Sequence, residues 1–404
     1  MGGGRVGLGL GASGCGRAWA WAERARGVHG GVAGGSTSSL GAAAADHGAG
    51  GHAPAMPSFT GIVKGGGRSS VSGVRATVFG AYGFLGRYVV NALGRLGSQV
   101  IIPYRGEHME VRHLQLMGDL GQIVPIRFDA RSRDSVAECI ADSNVVINLI
   151  GKGTPTFHVT LREANVDTAR MISEVARESP GIERYMHVSQ LGASPLAKSD
   201  FTRMKWEAEA LTREAVPNAT IFRVGTPLLG TEDKFFNTWA PILRGSFLVP
   251  EVYEAREALR QPCFAYDVAR AMMAALKQPA TSGNLYELAG GKIYTHGELM
   301  DILWKVMRHQ GSVRVPLPAP LLKVGLKALQ AHRVPYARVT ADSVAWMTED
   351  HVCSPDTLGF ADLGVKPMEL DINAPQMDYV RTWRREMVGS GELAGTDDFA
   401  VKHA

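Results

Sequence analysis

From Val74 onward the chain alternates two hydrophobic patterns. One is a short, nearly continuous apolar run; the other spaces apolar residues three and four apart with polar residues between. The first predicts strands buried on both faces, the second amphipathic helices. An apolar run from Val74 ends at Gly80, the first of three glycines spaced by three: Gly80, Gly83 and Gly86. Gly86 opens RYVVNALGRLG, a helical stretch with Val89, Val90, Leu93 and Leu96 on one side. Residues 99–104 predict a second strand, 109–120 a short helix and 121–128 a third strand. A helix over 135–141, a strand over 144–150 and a helix over 157–178 follow, the last with Asn165 inside it. Strands over 183–189 and 219–224 flank a helix over 201–214. This alternation calls for an α/β fold, a doubly wound parallel sheet covered on both faces. Right-handed crossovers place every strand's C-terminal end on one rim.

Past Gly230 the alternation decays. Residues 235–250 carry Phe235, Phe236, Trp239 and Phe247 with Pro241 and Pro250, the composition of an excursion over that rim. Asp267 stands where it predicts an N-cap for a helix over 268–277. Residues 284–288 predict a short strand. Thr295 with Glu298 three residues on predicts a capping box. In 316–333, Leu322, Leu326 and Leu329 share one face while Lys323 and Lys327 fall four apart on another. Such a basic amphipathic helix suits either inward packing or contact with a partner or membrane surface.

Composition changes the picture mainly at the ends. Residues 1–70 are dominated by Gly, Ala and Ser, carry Arg5, Arg17, Arg24 and Arg26, and up to Ala55 hold only two acids, Glu23 and Asp46. This cannot form a packed core and fits an organelle-targeting segment, with an untargeted disordered tail as the alternative. The expected organisation is a targeting extension over 1–70, a nucleotide-binding domain over 71–230, a C-terminal region over 231–385 interleaved with it, and a flexible tail over 386–404. A formal charge of +4 without a long basic block gives no reason to expect nucleic acid. Cys15, Cys139, Cys263 and Cys353 lie far apart with no CxxC pair, which points to a reducing compartment and no cysteine metal site. No run of eighteen apolar residues occurs, and the histidines show no ligand spacing, so neither a membrane span nor a metal is expected.

The candidate chemistry starts at the glycines. A strand turning tightly into a helix leaves free helix amides facing a phosphate. The GxxGxxG spacing departs from the GxGxxG fingerprint, and its context of strand, helix and second strand supports it. At the end of that second strand an acid would hold a ribose 2′-hydroxyl, whereas an arginine suits a 2′-phosphate. Arg105 stands there, which favours NADPH over NADH. Asp129 either accepts from an adenine amino group or starts a helix. Gly151-Lys152-Gly153 follows Ile150 at a strand end, where a cofactor needs the backbone close.

These segments, together with HVSQLGA (187–193), the Lys205 helix and FRVGTPLLG (222–230), resemble the short-chain dehydrogenase/reductase superfamily in its extended or atypical branch. The resemblance spans roughly residues 74–370. It implies a Rossmann-like fold with a smaller C-terminal α/β region, and cofactor contacts at Gly80, Tyr82, Gly83, Phe84, Leu85, Gly86, Arg105, Asp129, Ile150, Gly151, Ser189 and Lys205. The superfamily's enzymes use a serine, a tyrosine and a lysine four residues after the tyrosine. Ser189 and Lys205 match the first and last, but Phe201 stands where the tyrosine belongs. Phenylalanine has no proton to give, and acid–base assistance is worth about 10²–10⁴ in rate. Thr202 carries the nearest hydroxyl, rotated by about 100° on the helix. No catalytic residue is therefore expected, and Ser189, Phe201 and Lys205 read as vestigial positions. His187 shares a strand face with Ser189 and reads as structural.

Within the superfamily the chain resembles the accessory subunits found in mitochondrial respiratory complex I. That implies other complex I subunits as partners, a peripheral place on the matrix side of the inner membrane, and contact with the membrane surface through the C-terminal region. An NADP-dependent reductase or epimerase and a nucleotide-sensing regulatory protein are the competing expectations.

Overall fold

A computed structural model of the chain describes residues 72–156, 159–308, 313–331 and 339–383. The expected targeting extension and flexible tail lie outside these, as do Cys15 and residues 157–158 and 332–333 of the two predicted helices.

The first half runs β1 (Arg75–Phe79), α1 (Phe84–Arg95), β2 (Gln99–Tyr104), α2 (His108–Gln115), β3 (Ile123–Arg127), α3 (Arg133–Ile140) and β4 (Val145–Asn148). It continues through α4 (Thr168–Glu178), β5 (Arg184–Gln190), α5 (Asp200–Ala215) and β6 (Thr220–Val224). The second half holds β7 (Leu228–Leu229), α6 (Phe236–Gly245), β8 (Leu248–Val252), β9 (Leu259–Arg260), β10 (Cys263–Phe264) and α7 (Ala265–Lys277). It ends with β11 (Leu285–Leu288), β12 (Tyr294–Thr295), α8 (His296–Met307), β13 (Val313–Leu317), α9 (Ala319–Ala331), α10 (Ala341–Met347) and α11 (Asp378–Arg381).

Seven strands form one sheet in the order β11-β6-β5-β4-β1-β2-β3, and every pairing is parallel. The chain order reverses between β1 and β4, so a crevice opens beyond their C-terminal ends, where such sheets bind ligands. Both sheet faces are covered. Val89, Val90 and Leu93 of α1 pack with Met272 and Leu276 of α7 on one face. Val136 and Ile140 of α3 pack with Ile172 and Val175 of α4 on the other. A separate core joins α6 and α8 through Phe236, Trp239, Leu299 and Leu303. No helix among the described residues is long and apolar enough to cross a membrane.

Several expectations are corrected. The 157–178 helix is interrupted, because residues Glu163–Asp167 form a π-helical turn before α4. Asp267 does not cap α7, which begins two residues earlier behind Phe264. Its buried carboxyl accepts from the Met368 amide and from Arg270 instead. Asp129 does not start α3; Ser132 does, accepting from the Ser135 amide. The aromatic excursion is a helix, α6, with Pro241 inside it, followed by β8. In α9, Leu322 and Leu326 pack onto the C-terminal core, while Leu321, Val324 and Lys327 are exposed. The Thr295–Glu298 capping box is present as its spacing predicts.

The C-terminal region reaches back to α5. Asp342 of α10 accepts from the Ser199 hydroxyl at 3.0 Å and from the Asp200 amide at 2.7 Å and the Phe201 amide at 3.3 Å. It therefore satisfies free amides at the start of the helix that carries Lys205.

Candidate functional site

The crevice is built from the glycine turn on one side and the loop after β4 on the other. Gly80 adopts φ +82, a conformation glycine takes without strain, and its carbonyl accepts from the Gly83 amide at 2.9 Å. A Cβ on Gly86 would stand 2.4 Å from the Gly80 carbonyl oxygen, so only glycine lets α1 start this close to β1. Helix α1 has Gly83 as its N-cap, no side-chain cap and no acid in its first turn. Its leading amides are thus left for an anion.

The other predicted contacts divide. Tyr82 is exposed, with the Arg87 guanidinium 5.5 Å from its ring centroid. Phe84 lies edge-on to Tyr88 at 5.6 Å. Leu85 packs into the core, so only its backbone faces the crevice. Arg105 is exposed just beyond β2, within electrostatic reach of Lys152. Asp129 is exposed and accepts from the Arg131 amide at 3.0 Å.

On the opposite side, the buried Lys205 ammonium donates to the carbonyls of Ile150 at 3.2 Å and Val188 at 3.3 Å. Burial pushes its pKa down to about 8, with Glu209 opposing the shift and Lys234 adding to it. Gly151 lies against it; a Cβ there would be 2.6 Å from Nζ. Ser189 is 3% exposed and its hydroxyl has no hydrogen-bond partner among the described residues. A buried hydroxyl left unpaired is costly, as expected where a ligand completes the pairing.

Phe201 is half-buried one helical turn before Lys205. The Thr202 hydroxyl is committed elsewhere, accepting from the Gln190 amide at 2.8 Å and donating to Glu349 at 3.3 Å. His187 is fully buried with neither ring nitrogen paired among the described residues, and burial pushes its pKa down to about 3, so it is neutral. The arrangement can hold a phosphate and a ribose beside Lys205 and Ser189. It has no proton donor at the Phe201 position.

Sequence reasoning assigned no role to Asn165. Its side chain accepts from the Lys152 amide at 3.0 Å and donates to the Lys152 carbonyl at 2.9 Å, which fixes the loop after β4. The signal was an Asn inside an otherwise helical stretch, at what the structure shows to be the π-helical turn. Lys152 entered the sequence reasoning only through the backbone of Gly151-Lys152-Gly153, and the Lys234 side chain not at all. Nothing in the local spacing marks either side chain.

The profile of the NAD dependent epimerase/dehydratase family matches residues 76–195. The chain is 41% identical over 312 residues to the NADH dehydrogenase [ubiquinone] 1 alpha subcomplex subunit 9, mitochondrial, of Arabidopsis thaliana, covering 76% of this chain and 77% of that one. It is 39% identical over 310 residues to the protein of the same name from Mus musculus, covering 76% and 81%. Among solved structures it resembles a nucleoside-diphosphate-sugar epimerase from Staphylococcus aureus, with a TM-score of 0.57 and 16% identity over 76% of this chain and 99% of that one. An NADPH-dependent quinone oxidoreductase from Escherichia coli complexed with NADPH gives 0.55 and 17% over 73% and 96%. At these identities the two structures speak to fold alone. Taken with the family match, the fold is that of an NAD(P)-binding chain.

Proposed function

The chain belongs to the family of NADH dehydrogenase [ubiquinone] 1 alpha subcomplex subunit 9, and from that premise we propose that it is an NADPH-holding accessory subunit of mitochondrial NADH:ubiquinone oxidoreductase, complex I. It sits peripherally on the matrix side of the inner membrane, among other complex I subunits, and supports assembly and stability near the junction with the membrane arm. The observation that carries the non-catalytic part is Phe201. Lys205 keeps its place beside the crevice, yet the residue one turn earlier has no hydroxyl, and the adjacent Thr202 hydroxyl is spent on Gln190 and Glu349. A reductase or epimerase working by the superfamily mechanism thus lacks its general acid.

The choice of NADPH rests on Arg105, exposed at the end of β2 where a 2′-phosphate would lie. The cofactor contacts are those of the glycine turn, Arg105, Asp129, Ile150, Gly151, Ser189 and Lys205, with the Leu85 contact limited to its backbone. Bound nucleotide stabilises the fold; at a hundredfold excess over Kd this amounts to about 2.7 kcal/mol. The exposed Leu321 and Val324 of α9, flanked by Lys327, suit contact with the membrane surface.

Blue-native separation of solubilised mitochondrial membranes, with mass identification of this chain in the complex I band, tests the assignment. Its absence from that band would overturn it. Nucleotide extracted from the folded protein should be NADPH; recovery of NADH alone would remove the role given to Arg105.

A further inference from the structure

The stretch from Gly230 to Lys234 leaves β7 and passes over the first turns of α1 before entering α6. It is held there at three points. Gly230 lies against α1, where a Cβ would stand 2.7 Å from the Tyr88 hydroxyl and 2.9 Å from the Phe84 ring. The Thr231 amide donates to the Tyr88 hydroxyl at 3.4 Å, and Glu232 forms an ion pair with Arg87. The far end is fixed as well. Asp233 accepts from the Phe235 amide at 2.7 Å and the Phe236 amide at 2.5 Å, and Asn237 donates to the Thr231 carbonyl at 3.1 Å.

Both acids beside Lys234 are therefore engaged, Glu232 with Arg87 and Asp233 with the start of α6. Lys234 keeps part of its surface exposed, while partial burial among its neighbours lowers its pKa. The segments that carry Lys152 and Lys234 both border the glycine turn, the loop after β4 lying against Gly80 through Leu149 and Ile150 and the strap against Phe84 and Tyr88 of α1. The charge of Lys234 bears on Lys152 and on Lys205, and Lys152 also feels Arg105. Like charges gathered in this way disfavour one another, and an anion bound between them relieves that cost. The amides of the α1 N-terminus, next to the point where the strap is anchored, favour an anion in the same place.

We propose that the 230–234 strap closes one side of the nucleotide crevice and that Lys234, together with Lys152 of the loop after β4, binds the diphosphate of the dinucleotide. This rests on the nucleotide-holding function proposed above and adds to it two cations outside the glycine turn, one of them from beyond β6. Glu232 acts as a positioning residue, since its pairing with Arg87 sets where Lys234 stands.

Titration calorimetry of the nucleotide-stripped full chain with NADPH and with NADH tests it. Lys234→Gln and Lys152→Gln should each weaken both ligands about tenfold, the equivalent of roughly 1.4 kcal/mol, because both ligands carry the diphosphate. Arg105→Gln should weaken NADPH alone. Each lysine variant should also lower the salt dependence of binding, which a merely structural change would leave alone. Glu232→Gln should weaken binding two- to threefold in the parent chain and have no further effect in the Lys234→Gln background. Failure of the parent chain to bind either nucleotide would sink the nucleotide-holding function itself. Tight binding by the parent with affinity and salt slope unchanged in Lys234→Gln would leave that function standing and overturn the strap. A Lys234→Gln loss confined to NADPH would also overturn it, by moving the lysine to the 2′-phosphate.

Discussion

The Lys205 ammonium donates to the Ile150 carbonyl at 3.2 Å and so ties helix α5 to the end of β4. A cation held against backbone carbonyls, with burial lowering its pKa to about 8, is an expensive group to keep. In the unfolded chain a lysine titrates near 10.4. At pH 7 both states are protonated, so the folded protein carries the full penalty of charged burial, on the order of 3 kcal/mol at most. Between pH 8 and the unfolded value the unfolded state binds more protons, so stability should rise with pH across that window. Lys205→Met removes the penalty but leaves two carbonyls without a donor, at about 1 kcal/mol each. The nucleotide-free variant should therefore be about 1 kcal/mol more stable at pH 7 by urea unfolding and lose the alkaline rise. The same variant should gain little from added NADPH. A variant less stable without nucleotide would show that Lys205 supports the fold itself.

Phe201→Tyr returns a hydroxyl to the turn before Lys205. In the proposed function nucleotide is held by the glycine turn, Arg105, Lys205, Lys152 and Lys234, none of which the substitution replaces. NADPH affinity should stay within about twofold, measured by calorimetry. A tenfold change would mean that the ring at 201 contacts the nucleotide directly.

The strand–helix alternation to Val224 was readable because buried parallel strands and amphipathic helices have different periods. Residues 99–104 match β2, and the Gly80, Gly83 and Gly86 spacing located the turn. The ends of elements were not readable where side chains compete for free amides. At α3 Ser132 takes the capping role from Asp129, and at α7 the helix starts two residues before Asp267, whose carboxyl accepts from the distant Met368 amide instead of capping. Lys152 and Lys234 lie 82 residues apart in sequence. Only the folding of the chain past Gly230 back over α1 places both of their segments beside the glycine turn, so no local pattern could pair them. The cap that Asp342 places on α5 from 142 residues away was hidden for the same reason.

The glycines of the turn should differ in tolerance. A Cβ on Gly86 would meet the Gly80 and Ala81 carbonyl oxygens at 2.4 and 2.5 Å, and backbone cannot step aside. A Cβ on Gly83 meets only the Gly80 oxygen at 3.1 Å, and Gly83 has an extended backbone open to any residue. Gly86→Ala should cost about 1–3 kcal/mol or more, as overpacking does, and abolish nucleotide retention. Gly83→Ala should cost under about 1 kcal/mol. Thermal unfolding and nucleotide content of both variants check this; equal losses would mean that the close approach at Gly86 is not what requires glycine.

Buried histidines set the acid limit, and two of the three among the described residues carry the largest effects, with His351 shifted in the same direction. His187 and His296 are each pushed down to about 3 by burial, with the charges of Lys205 and Arg260 adding to the effect. An unfolded histidine titrates near 6.5. Above that value both states are neutral at these positions and the two residues contribute no pH dependence. As pH falls from about 6.5 toward 3 the unfolded chain takes up two protons that the folded chain refuses. Stability should drop through this window with a slope from these two groups approaching about 2.7 kcal/mol per pH unit at its middle. His187→Gln removes one of the two protons and should halve that contribution, leaving stability at pH 8 to report only the change in packing. Urea unfolding of the parent and the variant at half-unit intervals from pH 4 to pH 8 separates the two effects. Parallel pH profiles for the two proteins would show that His187 is charged in the folded state, which would contradict its burial without a partner.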